Sequence, residues 1–423
     1  MATHLVTPLL HPINAVVAVP GSKSIANRAL VCAALADGES MLHNLPDGDD
    51  TEAMLQCLAL LGIGIDRADV HSDATAIHGI AGVLPTGPIT LPVRLAGTTS
   101  RFVTALACLG PGPYSIDGYP PLRARPMAPL HEALSALGAT LQAERSGHLP
   151  VTVNGPLRAT ERIEVRGDIS SQFLTALMLI GPYIPGGLRI TITTPLVSRP
   201  YVQITKAVMA DFGHDAVTID ERAIEVCAGR YQGRNYVIEP DASSASYPLA
   251  AAAICGGRVE VPGLTEGSIQ GDAGFCDVLA MMGCTSTRDH HSTIVESGAT
   301  LAGVDIDMVD LSDLVPTLAA AAVFADSPTR ISGVGFIRAK ESDRLGDLCG
   351  ELRRLGAEAA ATEDGLTIQP SVLHGSRLDT HDDHRLAMAF GLVGLRVPGV
   401  EIDDRDVVSK SWPGFWGMLG GLR

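Results

Sequence analysis

The chain has 423 residues, enough for two substantial domains, and its composition of 46% hydrophobic and 18% charged residues excludes a disordered polypeptide. Its formal net charge of −16 excludes a general phosphate-binding surface for nucleic acid, so any anionic ligand needs a local group of cations. The longest uncharged run, residues 169–188, contains proline and glycine near its end and therefore predicts no membrane-spanning helix.

The cysteines and the N-terminus indicate the compartment. The eight cysteines form no C-x-x-C pair and no Cys/His cluster at zinc spacing, so we expect most of them to be reduced thiols in the core. No Lys or Arg precedes Lys23, so the basic region of a secretory signal is missing and a cytoplasmic protein is expected.

The chain repeats a pattern about every seventy residues. Helical stretches end on an apolar residue and a glycine, at Gly62, Gly138, Gly213, Gly283, Gly356 and Gly420. Polar clusters that suit helix N-caps open the units, at residues 22–24, 97–100, 168–171, 241–244, 310–313 and 381–384. We predict six α/β units, each reading helix, strand, helix, then strands, in two globular halves that meet near residues 236–240.

Residues 20–28 place Lys23, Ser24 and Arg28 at the start of a helix. Free backbone amides, the helix dipole and two cations together favour a phosphate or a carboxylate there. A P-loop is excluded because Ser22, not glycine, precedes Lys23. A solvated helix start is the simpler alternative.

Three further segments carry groups that suit an anionic or hydroxylated ligand. Gly97 lets a ligand approach the backbone, and Arg125, near Arg123, suits a bidentate grip on a carboxylate or phosphate. The neutral hydrogen-bonding groups are Ser170, Ser171, Gln172, Ser198 and Tyr201. Each segment also has a structural explanation: a turn glycine, solvated arginines, or a serine that only caps a helix.

The densest charge cluster is residues 338–344, with Asp310 and Asp313 upstream. A solvated helix face is the ordinary explanation for so many charges. Residues 381–385 and 409–413 follow. A metal site at residues 381–385 is disfavoured because adjacent residues on a helix point in different directions and no second group has matching ligand spacing.

In this order, the segments 20–28, 241–247, 340–344 and 383–388 resemble the enolpyruvylshikimate-phosphate synthase family across essentially the whole chain. The resemblance implies a two-domain inside-out α/β barrel, of α/β (α+β) class, built from six βαβαββ repeats with three in each domain. Residues 1–20 and 240–423 would form one domain and residues 21–239 the other, with the active site in the cleft between them.

The resemblance also implies a reaction. The 5-hydroxyl of shikimate 3-phosphate attacks carbon 2 of phosphoenolpyruvate while carbon 3 is protonated, and the tetrahedral adduct then loses phosphate. No cofactor and no metal would be needed, and the partners would be these two small molecules, with no nucleic acid and no membrane. A monomer in the shikimate pathway is expected.

Site residues are carried over by motif. Shikimate 3-phosphate would contact Lys23, Ser24, Arg28, Ser170, Ser171, Gln172, Ser198, Tyr201, Asp313 and Lys340. Phosphoenolpyruvate would contact Lys23, Gly97, Arg125, Gln172, Arg344, Arg385 and Lys410. Proton transfer would fall to Asp313 and Glu341, with Lys23 and His384 as further candidates.

Two positions depart from the family pattern, and three alternatives remain. Leu95 and Phe336 stand where many members have polar residues. The sister transferase acting on UDP-N-acetylglucosamine is disfavoured because the loop before Arg125 holds no cysteine. An inactive member that binds shikimate 3-phosphate, and a repeat-built binding protein, are the non-catalytic alternatives. Because Gly97 leaves space beside the phosphoenolpyruvate site, we also expect inhibition by glyphosate.

Overall fold

The computed structural model describes residues 2–67, 74–158, 162–298 and 300–422. The chain divides into two compact units. Unit 1 comprises Met1–Pro20 and Glu239–Arg423, and unit 2 comprises Gly21–Ile238. The first unit is therefore discontinuous in sequence, and the second is continuous.

Unit 1 begins with two short strands, and the chain then enters unit 2. These strands are β1 (His4–Leu5) and β2 (Ile13–Val16). The helices of unit 2 are α1 (Lys23–Leu35), α2 (Asp49–Leu60), α3 (Gly97–Ala107), α4 (Pro120–Arg123), α5 (Ala128–Ala136), α6 (Ser171–Ile180) and α7 (Arg199–Asp211). Its strands are β3 (Glu39–His43), β4 (Gly64–Arg67), β5 (Ala74–His78), β6 (Ile89–Arg94), β7 (Tyr114–Gly118), β8 (Thr140–Ala143), β9 (Val151–Asn154), β10 (Ile163–Val165), β11 (Leu188–Ile192), β12 (Val217–Ile219), β13 (Ala223–Val226) and β14 (Asn235–Val237).

The chain completes unit 1 with elements of the same kinds. The helices are α8 (Ala242–Cys255), α9 (Phe275–Met281), α10 (Val315–Ala322), α11 (Gly346–Arg354), α12 (His384–Gly394) and α13 (Phe415–Gly421). The strands are β15 (Gly257–Pro262), β16 (Thr285–Arg288), β17 (Ser292–Ser297), β18 (Asp305–Asp307), β19 (Thr329–Ser332), β20 (Glu358–Ala361), β21 (Leu366–Gln369), β22 (Arg377–Leu378) and β23 (Glu401–Ile402).

The four-stranded sheets share one strand pattern. In the sheet β6-β7-β9-β8, the first pair is parallel and the next two pairs are antiparallel. The sheets β14-β3-β5-β4, β10-β11-β13-β12, β16-β17-β15-β2 and β18-β19-β21-β20 repeat this pattern of one parallel and two antiparallel pairs. The three-stranded sheet β1-β23-β22 keeps the parallel pair β22–β23 and pairs β1 antiparallel with β23. Several mixed sheets thus make this an α/β protein.

The predicted helix ends are largely correct. Five of the six predicted glycines have positive φ values of 85° to 101°, which glycine adopts without the strain of a side chain. The sixth, Gly420, is instead inside α13. Side chains cap four of the predicted helix starts, but α3 begins after Ala96 and α10 after Leu314 without a side-chain cap. The polar residues near these two starts make other contacts.

Each unit buries its own apolar core. All residues of α10 are buried, as expected for a helix that is apolar on nearly every side. All residues of α12 are also buried, although this helix begins with His384 and Arg385. Six of the eight cysteines are buried, which confirms the expectation for most of them; Cys227 is exposed and Cys255 is half-buried. In the described ranges, every helix is too short or too polar to cross a membrane.

Candidate active site

In unit 2, the N-terminal ends of four helices lie together. Lys23, the first residue of α1, contacts Asp50 on α2 with 3.0 Å between Nζ and Oδ2. On α3, Thr99 donates its hydroxyl to the carbonyl of Asp50 at 3.1 Å. Gln172 on α6 donates from Nε2 to the hydroxyl of Thr98 at 3.2 Å. First-turn amides and helix dipoles at such a junction favour an anion.

Arg28 is a buried cation with neutral partners. Its guanidinium donates to the hydroxyls of Thr205 (2.9 Å) and Thr175 (3.3 Å) and to the carbonyls of Ser24 (2.6 Å) and Tyr201 (3.0 Å). These contacts use four of its five N–H groups and join α1, α6 and α7. Burial lowers the pKa of Arg28 to about 10, so the group remains charged at neutral pH.

Gly97 lies against the guanidinium of Arg125. A methyl group on Gly97 would come within 2.6 Å of Nη1 of Arg125, so the glycine makes room for this cation. Arg101 fixes the surroundings by donating to the carbonyls of Gly97 (2.9 Å) and Pro126 (3.1 Å). The neighbouring Arg123 pairs instead with Asp117 on the surface.

The predicted neutral groups lie at the starts of α6 and α7, and the predicted Ser24 is the second residue of α1. Ser170 caps α6 by accepting from the amide of Gln172 at 3.3 Å, and Ser171 follows as its first residue. Ser198 precedes α7 with a left-handed backbone (φ 54°) and is buried. Tyr201 is in the first turn of α7, and its ring centre is 5.9 Å from Cζ of Arg28.

In unit 1, Arg344 holds three carboxylates. It donates from Nε and Nη2 to Asp383 (2.7 and 3.2 Å), from Nη1 to Asp313 (3.0 Å) and from Nη2 to Glu341 (2.7 Å). Asp383 also caps α12 by accepting from the amide of Arg385 at 2.9 Å. Burial opposes the charge of Arg344, but the carboxylates outweigh burial and raise its pKa above the ordinary value.

Asp313 receives three cations. Arg385 contacts it at 2.9 Å and Arg344 at 3.0 Å, and Nζ of Lys340 lies at 3.9 Å. Burial favours the neutral acid, yet Arg385, Lys340 and Arg344 together hold the pKa of Asp313 far below its usual range. The carboxylate is therefore ionised at every pH at which enzymes ordinarily work.

The remaining predicted residues of unit 1 lie near this cluster. Nζ of Lys340 is 5.9 Å from the ring centre of Phe336, so the residue that departs from the family pattern faces a predicted ligand-binding cation. His384, the first residue of α12, is buried with Nδ1 3.6 Å from Asp383. Lys410 is buried at the end of a 3-10 turn, Arg405–Lys410, that packs on α12.

The residues that position the predicted site residues were not themselves predicted from the sequence. Asp50, Thr175 and Thr205 in unit 2 position Lys23 and Arg28, and Asp383 positions Arg344. Only Asp383 gave a signal, because it stands in a motif that matched the family. The others are distant in sequence from the residues they contact.

Each cluster suits a different chemical task. The unit 2 cluster offers cations, helix starts and hydroxyl groups, which suit a phosphorylated and hydroxylated ligand. The unit 1 cluster combines cations with ionised carboxylates, which suits charge stabilisation and proton transfer. Within the described residues, the structure contains no group of three or more His, Cys, Asp and Glu side chains arranged for a metal ion.

Comparison with known proteins gives a consistent result. The family model "EPSP synthase (3-phosphoshikimate 1-carboxyvinyltransferase)" matches residues 10–419. The 3-phosphoshikimate 1-carboxyvinyltransferases of Trichormus variabilis and Methanoculleus marisnigri are 42% and 41% identical to the chain, over 98% and 97% of both sequences. The EPSP synthase structure from Acinetobacter baumannii aligns with a TM-score of 0.81 at 25% identity, over 99% of this chain and 98% of that one. The enolpyruvyl transferase NikO from Streptomyces tendae shares the fold, with a TM-score of 0.79 at 18% identity over 99% and 97% of the two chains.

Proposed function

Because the chain belongs to the EPSP synthase (3-phosphoshikimate 1-carboxyvinyltransferase) family, we propose that it transfers the enolpyruvyl group of phosphoenolpyruvate to the 5-hydroxyl of shikimate 3-phosphate. The products are 5-enolpyruvylshikimate 3-phosphate and phosphate, in the shikimate pathway. The observation that carries this proposal is the convergence of Arg344, Arg385 and Lys340 on the ionised Asp313.

The unit 2 cluster binds shikimate 3-phosphate in this proposal. Lys23, Ser24 and Arg28 supply charge and hydrogen bonds at the start of α1, and Ser170, Ser171, Gln172, Ser198 and Tyr201 supply neutral groups. We also assign Asp313 and Lys340 to the residues that contact this substrate. A buried arginine with neutral partners supports a phosphate site because its charge is not cancelled locally.

Phosphoenolpyruvate is held by a cationic cage in this proposal. The cage consists of Lys23, Gly97, Arg125, Gln172, Arg344, Arg385 and Lys410. The close approach of Gly97 and Arg125 supports their shared role. Such cations offset the charge on the substrate and on the tetrahedral adduct as phosphate leaves.

Asp313 and Glu341 serve proton transfer, with Lys23 and His384 as further participants. The cations that keep Asp313 ionised also make it a weak base. When the carboxylate and phosphate of phosphoenolpyruvate interact with Arg344 and Arg385, these arginines stabilise the charge of Asp313 less. The basicity of Asp313 therefore rises. The base thus becomes effective when the substrate is in place to react.

The architecture we propose is the two-domain inside-out barrel of six βαβαββ repeats, with domains 1–20 plus 240–423 and 21–239. The shared pattern of one parallel and two antiparallel pairs in five sheets supports the repeats. The division of the chain at Pro20 and Glu239 supports the domains.

Phosphate release tests the function. The purified, chelator-treated chain receives phosphoenolpyruvate and shikimate 3-phosphate together, with each substrate alone as a control. We expect release only with both. A folded protein that releases no phosphate from the pair would contradict the proposal. Release with UDP-N-acetylglucosamine in place of shikimate 3-phosphate would reassign the substrate.

A further inference from the structure

The first turn of α8 and the turn before α9 hold a polar pair that the proposed reaction does not use. Ser243 donates its hydroxyl to Oδ2 of Asp272, which lies in the 3-10 turn Gly271–Gly274. Asp272 is only 5% exposed. Burying a carboxyl group is costly without compensating contacts, so the position of Asp272 requires an explanation.

Charged groups from three surrounding elements act on Asp272. Asp313 acts from the turn before α10, Arg385 from the start of α12 and Asp241 from the cap of α8. Asp313 and Arg385 are themselves 2.9 Å apart. Asp272 is therefore a second carboxyl group within electrostatic reach of the pair at the centre of the unit 1 cluster.

The helices packed on this turn carry four other titratable groups. Tyr247 on α8 is buried, and burial raises its pKa to about 12, so it stays neutral. Asp277 on α9 pairs with Arg288 at 3.0 Å, and its side chain is 64% exposed. Burial likewise raises the pKa values of Cys255 on α8 and Cys276 on α9 to about 11, so both thiols stay neutral between pH 5 and 8.

The environments of Asp272 and Asp313 separate their ionisation. Burial and the charge of Asp313 raise the pKa of Asp272 to about 6, although the hydrogen bond from Ser243 and the charge of Arg385 oppose this rise. Asp313 remains ionised throughout. Two neighbouring carboxyl groups with separated pKa values commonly have separate roles in a site.

We propose that Asp272, held by Ser243, is a positioning residue whose charge sets how strongly Arg385 holds phosphoenolpyruvate. The inference rests on the proposed function. Ionised Asp272 partly offsets the positive charge of Arg385 and weakens its grip on phosphoenolpyruvate. Neutral Asp272 strengthens that grip, so substrate affinity follows the charge of this one carboxyl group.

The test is the ratio of KM for phosphoenolpyruvate between Asp272→Asn and the wild type, measured from pH 5 to 8. Asparagine keeps an oxygen that accepts from Ser243 and removes the charge. The ionisation of phosphoenolpyruvate itself cancels in the ratio. At pH 8 we expect KM of the variant to be about threefold to tenfold lower than that of the wild type, and near pH 5 the two values should converge.

Two further variants separate this role from a structural one. Ser243→Ala removes a hydrogen bond that favours the ionised form of Asp272. The change of KM with pH should therefore occur at a higher pH in this variant than in the wild type. Asp277→Asn is the matched control, because it removes an exposed carboxylate from the neighbouring helix, and its KM ratio to the wild type should stay near one at every pH.

The outcomes distinguish the inference from the proposed function. A ratio of KM between Asp272→Asn and the wild type that stays constant from pH 5 to 8 would overturn the inference. If the wild type forms product in the same experiment, the proposed function stands. If the wild type makes no product, calorimetric titration with phosphoenolpyruvate gives the same affinity ratio. A pH-dependent ratio would then support the inference while the proposed function fails, and a wild type that binds no phosphoenolpyruvate would overturn both.

Discussion

Arg28 in unit 2 and Arg344 in unit 1 are both buried arginines, yet their partners differ in charge. Arg28 contacts hydroxyl and carbonyl oxygens, whereas Arg344 contacts three carboxylates. The pKa values follow: burial lowers that of Arg28 to about 10, and the carboxylates raise that of Arg344 despite burial. Similar burial therefore gives opposite shifts, because the partners decide the sign.

This difference separates two tasks. A buried cation among neutral groups attracts an anion with its whole charge, so unit 2 is suited to holding a phosphate. A cation shared among carboxylates must exchange partners before it holds a substrate. That exchange changes the basicity of the carboxylates, so unit 1 is suited to moving protons.

Removal of Arg344 is expected to give the largest effect. Arg344→Gln leaves Asp313, Glu341 and Asp383 together without their shared cation. Breaking a buried ion network costs about 3–5 kcal/mol of unfolding free energy, and we expect kcat/KM to fall at least about a thousandfold. Steady-state kinetics and urea denaturation measure the two losses.

Arg354→Gln is the control for this change. It removes an arginine that is 58% exposed and that contacts Glu351 at 3.4 Å. An exposed pair of this kind is worth little, so stability should change by less than about 1 kcal/mol. Equal losses in the two arginine variants would contradict the role of Arg344.

Arg28→Lys tests whether unit 2 needs geometry as well as charge. Lysine keeps the positive charge but cannot reach all four oxygens. We therefore expect the free energy of unfolding to fall by about 2–4 kcal/mol and KM for shikimate 3-phosphate to rise about tenfold. Arg166→Lys, at a surface pair with Asp168, should leave both quantities nearly unchanged. An unaltered KM in Arg28→Lys would mean that charge alone suffices.

Gly97→Ala tests the contact with Arg125. The added methyl group would displace the guanidinium, so KM for phosphoenolpyruvate should rise about tenfold with a smaller change in kcat. The inhibition constant for glyphosate should rise as well if both molecules use this space. Gly350→Ala is the matched control, since a methyl group there meets nothing within 4 Å.

The two units are expected to respond to acid in opposite directions. Burial, Arg101 and His148 lower the pKa of His131 in unit 2 to about 4. Between pH 6.5 and 4, the unfolded chain therefore takes a proton that the folded chain does not, and His131 costs about 2 kcal/mol of unfolding free energy at pH 5. His131→Asn should abolish this loss in denaturation experiments at pH 7.5 and 5.

Asp272 in unit 1 should respond in the opposite direction. Its pKa of about 6 in the folded chain exceeds that of an unfolded aspartate, so the folded chain takes the proton first as pH falls. The unfolding free energy should rise by about 1 kcal/mol between pH 7.5 and 5, and Asp272→Asn should remove this rise. Curves of equal slope for this variant and the wild type would contradict the prediction.

Local sequence signals predicted the ends of helices well. Five glycines at the predicted positions have the left-handed backbone that only glycine adopts easily, and Ser22, Ser170, Asp241 and Asp383 cap their helices. Caps and glycine ends are properties of a few adjacent residues, so the sequence displays them directly. The predicted side-chain caps of α3 and α10 were wrong: these helices begin after Ala96 and Leu314 without such a cap, and packing supplies the stability that a cap would add.

The partners of the site residues were beyond prediction from the sequence. Arg28 and Thr205 are separated by 177 residues, and Arg344 and Asp383 by 39. Contacts at such separation depend on how helices pack, and a single sequence does not show this. The ionisation of Asp272 likewise depends on burial and on Asp313, which only the folded chain brings near.

The discontinuity of unit 1 has a consequence for synthesis on the ribosome. Strand β2 pairs with β15, so Ile13 cannot form its strand pair until Gly257 has been synthesised. In the same way, His4 on β1 cannot pair until Ile402 has been synthesised. At about 5–20 residues per second, β2 emerges on the order of ten to fifty seconds before its partner. The continuous unit 2 can fold within that interval. Strands β1 and β2 are thus made before unit 2 but are paired after it. An unpaired strand during translation is a point at which chaperones or aggregation compete with folding.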